Sequence, residues 1–272
     1  MGVLNSSQVE TYHRDGVLFP LPALSNEELD YFRSKLQELL NSHGGRLPAR
    51  QMRHLHHFYP WAYELAVNPV VMEYARTILG ADILLHSTTM FCKIPGDGTF
   101  VSWHQDGFYW RLQDPSVVSA WIALYDSTAA NGCMRVIPGS HRGGDVPHKN
   151  SAISEWNLLS NGMEVERKVR EEDAADVLLR AGEASLHHVN VIHGSNPNLS
   201  DSPRVGFAVR YISPATSQDG PCPPLILVSG ENKHGNYQAT LGPPVFPPSD
   251  QVKDSHNRLL EQMVEAYREP AK

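Results

Sequence analysis

A histidine and an aspartate stand one residue apart in the stretch VSWHQDGFYW, residues 101–110, at His104 and Asp106 among aromatic side chains. An imidazole nitrogen and a carboxylate oxygen make adjacent ligands for a first-row metal. A third protein ligand beside them would still leave positions open for reactants, as in the two-histidine, one-carboxylate sites of non-haem iron enzymes. Backbone geometry decides whether the pair can converge. Side chains at i and i+2 leave the same face of a β-strand but point nearly opposite ways on a helix, so this reading expects strand through Asp106. Taken alone, His-x-Asp is a common accident of sequence, and a polar kink in an aromatic strand would look the same.

The run HHVNVIHGSNPN offers His187, His188 and His193 as a third ligand. Alternation along one continuous strand places His187 and His193 on one face with Val189 and Val191, and His188 on the other with Asn190 and Ile192. On the residues alone all three stay open. Downstream, Arg204 opens the strand RVGFAVRYI, in which Gly206 and Ala208 share its face while Val205, Phe207 and Val209 form an opposite, core-packing face. Small neighbours leave room for the guanidinium to reach into a cavity, where it would grip a carboxylate through two parallel hydrogen bonds at any working pH. A dicarboxylate with one end on a metal and the other on Arg204 would fit such a site.

The elements that must position these groups fall into two textures. Residues 7–42 and 60–79 carry helical periodicity, with Leu29, Phe32, Leu36, Leu39 and Leu40 behind a cap at Ser25 and acids at Glu27 and Glu28. From about residue 82 the signal turns to short β-rich runs: ILLHSTTMFCKI, TFVSWHQD, VVSAWIALYD, CMRVIPGSH, ASLHHVNVIHG and RVGFAVRYI. Such runs favour a sandwich or a closed barrel. Residues 142–180, polar and with an acidic helix-like piece near Glu164 to Asp176, read as an inserted loop able to cover a site. Beyond residue 214 the chain is turn-rich, until an amphipathic helix at 249–268 with Val252, Leu259, Leu260, Met263 and Val264 on one side.

With 272 residues, 41% hydrophobic and 19% charged, the chain can bury a large core, and one domain over 1–272 is the simplest organisation. A net charge of −7 argues against a nucleic-acid footprint and for a small-molecule partner. No apolar run approaches the roughly 20 residues of a membrane span and no signal-peptide pattern opens the chain, so the expected location is cytoplasmic. Cys92, Cys133 and Cys222 match no disulfide or zinc spacing and read as buried thiols. The opening Met1-Gly2-Val3-Leu4-Asn5-Ser6 fits a myristoylation pattern, though Ser6 or Ser7 capping a first helix explains it as well.

Together, His104-x-Asp106, His193, Arg204, WIALYDSTAANGCMRVIPGSH at 121–141 and VIHGSNPNLSDSPR at 191–204 resemble the phytanoyl-CoA dioxygenase family of iron(II)- and 2-oxoglutarate-dependent oxygenases, over roughly residues 8–214. The resemblance implies a mainly β fold, a double-stranded β-helix (a cupin-like jelly-roll barrel) with an N-terminal helical layer. It implies Fe(II) held by His104, Asp106 and His193, with 2-oxoglutarate and O2 as cosubstrates. Arg204 would hold the distal carboxylate, with Met90, Trp121, Ser195, Gln105 and an N-terminal base, Arg53, as further cosubstrate neighbours. It implies hydroxylation rather than halogenation, because related halogenases have a small residue where Asp106 stands.

For the substrate, Phe108, Tyr109, Arg111, Arg135 and His57 are the candidate contacts, and the histidines and arginines around them point to a small polar or anionic metabolite. An acyl-thioester or carrier-bound substrate, or desaturation or cyclisation, are the alternatives within this chemistry. Outside it, a zinc hydrolase or a non-catalytic barrel stay open. Neither the substrate nor the oligomeric state is written in these motifs.

Overall fold

The computed structural model describes residues 3–45, 47, 49–113, 116–150, 154, 156–159, 163–220, 222–247 and isolated positions among 250–262. Local sequence sets the N-terminal helices. α1 (Ser6–Asp15) is capped by Asn5 in a reciprocal box with Gln8, not by Ser6 or Ser7. α2 (Asn26–Ser42) starts at the expected box, Ser25 with Glu28, and buries Leu29, Phe32, Leu36 and Leu39. Two shorter helices, α3 (Pro60–Ala66) and α4 (Pro69–Leu79), each begin with proline, whose missing N–H costs nothing there.

The strands are β1 (Val17–Pro22), β2 (Ile83–Lys93), β3 (Val101–His104), β4 (Val117–Ala123), β5 (Met134–Val136), β6 (Ala175–Val177), β7 (Glu183–His188), β8 (His193–Ser195), β9 (Arg204–Ile212), β10 (Leu225–Ser229) and β11 (Ala239–Leu241). Among the described residues they form two sheets, a seven-stranded one ordered β1-β7-β4-β9-β2-β10-β11 and a four-stranded one ordered β3-β8-β5-β6. From β2 to β9 the chain passes back and forth between the sheets, broken only where β5 and β6 both join the small one, the winding of a double-stranded β-helix. Central β4 and β9 are buried along their whole length, as strands covered on both faces must be. The outer face of β9 (Val205, Phe207, Val209, Tyr211) joins the core beneath the helices, whereas Ala208 packs inward with Trp121 and Met134.

Beyond the end of its pairing with β10, the edge of β2 is taken by the N-terminal segment. Arg53 bridges Thr89 and the His54 N–H donates to the Thr88 carbonyl at 2.7 Å.

Several expectations change. His187 and His193 do not share a strand: the chain leaves the large sheet after β7, turns at 189–192, and enters the small sheet at β8. Among its described residues the 142–180 insertion holds no acidic α-helix, only one acidic 3-10 turn within the expected stretch. It contributes a ribbon (His148–Asn150 with Met163–Val165), a turn at Glu171–Asp173, and β6, which pairs with β5 as part of the small sheet. Cys133 is buried, but Cys92 is half-buried and Cys222 exposed, on a proline-rich connection. Of the final helix, described positions among 250–262 are helical, while Val252, Leu259, Leu260, Met263 and Val264, like Met1 and Gly2, lie outside the described residues. No helix among the described residues is long and apolar enough to cross a membrane.

Candidate active site

β3 and β8 lie side by side in the small sheet, and their register makes His104 and His193 direct partners. Their rings are 4.1 Å apart by centroid, and one ligand atom from each of His104, Asp106 and His193 falls within 4.8 Å of the others. All three residues are buried. Each imidazole is oriented by its own backbone. The Nδ1–H of His104 donates to the Ser102 carbonyl at 2.9 Å and that of His193 to the Val191 carbonyl at 3.0 Å, which leaves Nε2 as the basic, metal-facing nitrogen. Burial, and then the neighbouring His104, hold the His193 imidazole well below its ordinary pKa, so it stays a neutral ligand.

Asp106 arrives by another route than strand alternation. β3 ends at His104, Gln105 is the extended N-cap, and Asp106 is the first residue of a short helix, α5 (Asp106–Trp110). The chain therefore corners between the two ligands, and His104 Nε2 lies 3.4 Å from Asp106 Oδ1. The corner needs glycine at 107, where a Cβ would stand 2.1 Å from the Asn190 side-chain oxygen. On its other oxygen Asp106 accepts from Arg210 Nε at 3.0 Å, and Arg210 Nη1 donates to Thr89 at 3.0 Å. Burial alone would push this carboxyl up; Arg210, together with the His104 hydrogen bond, outweighs it and holds Asp106 well below the usual carboxylate range.

Across the cavity Arg204 is 2% exposed, its guanidinium 4.3 Å over the Trp121 ring, and its Nε has no hydrogen-bond partner among the described residues. Burial lowers it to about 10. Gly206 makes the arrangement possible by an unexpected means. Its missing Cβ would lie 1.8 Å from Trp121 Cζ2, so the space left by the small residue is filled by the indole on which the arginine rests. Arg204, Trp121 and Ser195 line one cavity with His104 and His193, so the structure brings these expected residues together.

It separates others. Met90 faces the outer core; strand parity sends Thr89 and Phe91 inward instead, and Phe91 lines the cavity. The Gln105 amide is spent on backbone, donating to the Gly144 and Asn190 carbonyls and accepting from Val146, so it is a loop anchor rather than a cosubstrate contact. Arg53, through its bridge with Thr89, takes the inward face beside the cavity.

Arg111 is exposed at the end of α5, in the left-handed region. Arg135 is tied to Glu171 at 2.6 Å and Asp176 at 3.1 Å and does not line the metal cavity. His57 is buried outside the cavity, against Pro224. Phe108 stacks on His148 of the insertion at 4.0 Å, and the Tyr109 side chain lies outside the described residues.

Sequence reasoning missed two residues. Arg210, which no motif marks, orients the carboxylate ligand. Lys93 is fully buried, pairs with Arg204 across the strands, and donates to Ser195 Oγ at 2.6 Å and to the Gly132 carbonyl at 3.3 Å. Burial, with Arg204 beside it, lowers Lys93 to about 6. No local signal sets this lysine apart from an ordinary strand residue, because its partners at 132, 195 and 204 are distant along the chain.

A family model for phytanoyl-CoA dioxygenase matches residues 12–206, most of the chain and all four principal site residues. The chain belongs to the phytanoyl-CoA dioxygenase family. It is a dioxygenase that uses iron(II), 2-oxoglutarate and O2. It is 29% identical over 226 residues to an ectoine dioxygenase of Nocardia farcinica, covering 75% of this chain and 76% of that protein. It is 26% identical over 245 residues to an L-proline trans-4-hydroxylase of Streptomyces griseoviridis, covering 81% and 91%. Among solved structures, the non-heme monooxygenase ThoJ superposes with a TM-score of 0.79 over 96% of this chain and 97% of the other, at 28% identity. Family membership removes the zinc-hydrolase and idle-barrel readings, and the donor set agrees: two imidazoles and an ionised carboxylate suit iron(II), and Arg204 suits an incoming carboxylate.

Proposed function

We propose that this dioxygenase hydroxylates an unactivated C–H of a small polar or anionic metabolite, an amino acid or a related zwitterion. One observation carries the cosubstrate side of the reading: Arg204 is a buried cation whose Nε meets no acceptor among the described residues, in the same cavity as the ligands His104 and His193. A buried guanidinium without a counter-charge is costly, and a dicarboxylate reaching from metal to arginine relieves that cost. His104, Asp106 and His193 would hold iron(II), which with 2-oxoglutarate and O2 supplies the oxidant, leaving succinate and CO2.

The chain's own contributions are positional. Arg204 fixes the far carboxylate, Ser195 takes one Lys93 hydrogen bond on its oxygen so that its own O–H is directed to the same carboxylate, and Trp121 closes the cavity floor. Asp106 stays anionic under Arg210 and so remains available as a ligand.

The substrate class rests on a neighbouring cavity of about 630 Å³ that shares Phe91 with the metal cavity but none of the three ligands. Its wall mixes Arg33, Gln37, Asp97 and Thr99 with Leu36 and Met52. Its size lies within the roughly 300–1,000 Å³ of small-molecule sites, and within a largely apolar wall it offers charges of both signs, Arg33 and Asp97, which a zwitterion can use and an acyl chain cannot. The ectoine dioxygenase and proline hydroxylase similarities support the same class. The test has two steps. Anaerobic addition of iron(II) and 2-oxoglutarate should produce a visible charge-transfer band, and a panel of amino acids and zwitterions should stimulate succinate formation under oxygen. No band, or stimulation by acyl thioesters instead, would overturn the reading.

A further inference from the structure

After the Arg53–Thr89 bridge the chain makes one 3-10 turn, Leu55–His57, and three of the four residues from 54 to 57 are histidines. None faces water: His54, His56 and His57 are 3%, 0% and 8% exposed. His54 stands at φ 56°, ψ 32°, a left-handed conformation that a non-glycine residue adopts at a cost, and one commonly kept where function demands it. The turn gathers the rings, with centroid separations of 4.0 Å for His56–His57, 6.0 Å for His54–His56 and 6.4 Å for His54–His57. One nitrogen of each falls within 4.8 Å of the other two.

Outer hydrogen bonds set these rings as they would be set for a metal. The His57 Nε2–H donates to the Pro224 carbonyl at 3.2 Å, which makes Nδ1 the basic nitrogen, and His56 Nδ1 is bonded to Thr88 Oγ1 at 2.9 Å, which commits that edge of the ring to β2. Metal-bound histidines hold their far nitrogens in this way. Tetrahedral nitrogen ligands at 2.0–2.1 Å from an ion lie roughly 3.3 Å apart, so a small contraction of the cluster completes the site.

We propose that His54, His56 and His57 bind a second divalent cation, of the zinc, cobalt or nickel class, outside the iron centre, with water or a small anion in the fourth position. Three imidazoles without thiolate or carboxylate favour these borderline ions over magnesium or calcium. The ion staples the 53–57 turn to β2, where Thr88 serves this cluster on one face and Thr89 supports Arg210 on the other. Nothing in this rests on the substrate assigned above.

The test is stoichiometry. Chelator-stripped full-length protein is titrated with cobalt(II) and zinc(II). Wild type should take two equivalents, and H104A/H193A one, with the intense visible absorption of four-coordinate cobalt. H56Q and, separately, H57Q should each take one, while keeping the iron(II)–2-oxoglutarate charge-transfer band. Circular dichroism confirms the fold, and the two single variants guard against misfolding in either. A wild-type total of one equivalent overturns the proposal. So does an equivalent in H104A/H193A that survives the addition of H56Q.

Discussion

Two arginines on the inward face of β9 sit under the same burial and meet opposite electrostatic fates. At the far end of the strand Arg210 donates to Asp106 and to Thr89, so the chain itself supplies the counter-charge. At the near end Arg204 has the face of Trp121, the neighbouring Lys93 and, among the described residues, no acid paired with it. Since an unanswered buried charge costs several kcal/mol, the two ends must differ in purpose. The answered arginine belongs to the metal site's framework; the unanswered one is half of a binding interaction whose other half is the cosubstrate.

Removing the anion at the answered end should have the largest effect. Asp106→Ala strands Arg210 and deletes a ligand, so chemical denaturation of the metal-free protein should show a loss of about 3–5 kcal/mol, with succinate formation falling to background. Equal stability of variant and wild type would break the comparison. Removing the cation at the unanswered end should do the reverse to stability. Arg204→Met should leave the metal-free protein as stable as wild type or more so, while KM for 2-oxoglutarate rises at least roughly 30-fold, the equivalent of about 2 kcal/mol.

A subtler test concerns Lys93, lowered to about 6 by burial with Arg204 beside it. A bound dicarboxylate favours the ammonium form and raises that pKa, so a proton is taken up on binding wherever the pH lies between the two values. Calorimetry above pH 6 in buffers of different ionisation enthalpy should report uptake, and cosubstrate affinity should weaken as pH rises through that window. Release, or no proton, would remove Lys93 from the carboxylate's surroundings. The smallest effect belongs outside the comparison. Arg135 pairs with the partly exposed Glu171 and Asp176, so Arg135→Ala should cost under about 1 kcal/mol and leave turnover within roughly twofold.

What the sequence disclosed was whatever depends on local chemistry. The Ser25 box, the inward and outward faces of β9 and the His104-x-Asp106 pair could be read because each rests on residue type and short spacing, whereas the choice of His193 over its neighbours came from the family resemblance. What it hid depends on where strands bend and what lies across them. The expected Met90 contact fails by one position, and no residue between 83 and 93 marks its parity. The strand carries a register irregularity opposite Arg210 and Tyr211 that no local motif announces. Asp106 was read on a strand and stands on a helix, because the corner at Gln105 is made by backbone anchors from the insertion, at Gly144 and Val146. Arg210 and Lys93 look like ordinary strand residues until their partners, distant along the chain, are beside them.

The division of the site between sheets has a thermodynamic consequence. Both imidazole ligands sit on the small sheet, at β3 and β8, while Arg204 and the guanidinium that orients Asp106 belong to β9 of the large one. A cosubstrate spanning metal and Arg204 is then a cross-brace between two layers that otherwise meet through apolar side chains and the Lys93–Ser195 hydrogen bond. Each reagent should make the other bind more tightly, by the same factor in both directions. The doubly loaded protein should resist thermal unfolding by more than the sum of the two separate gains.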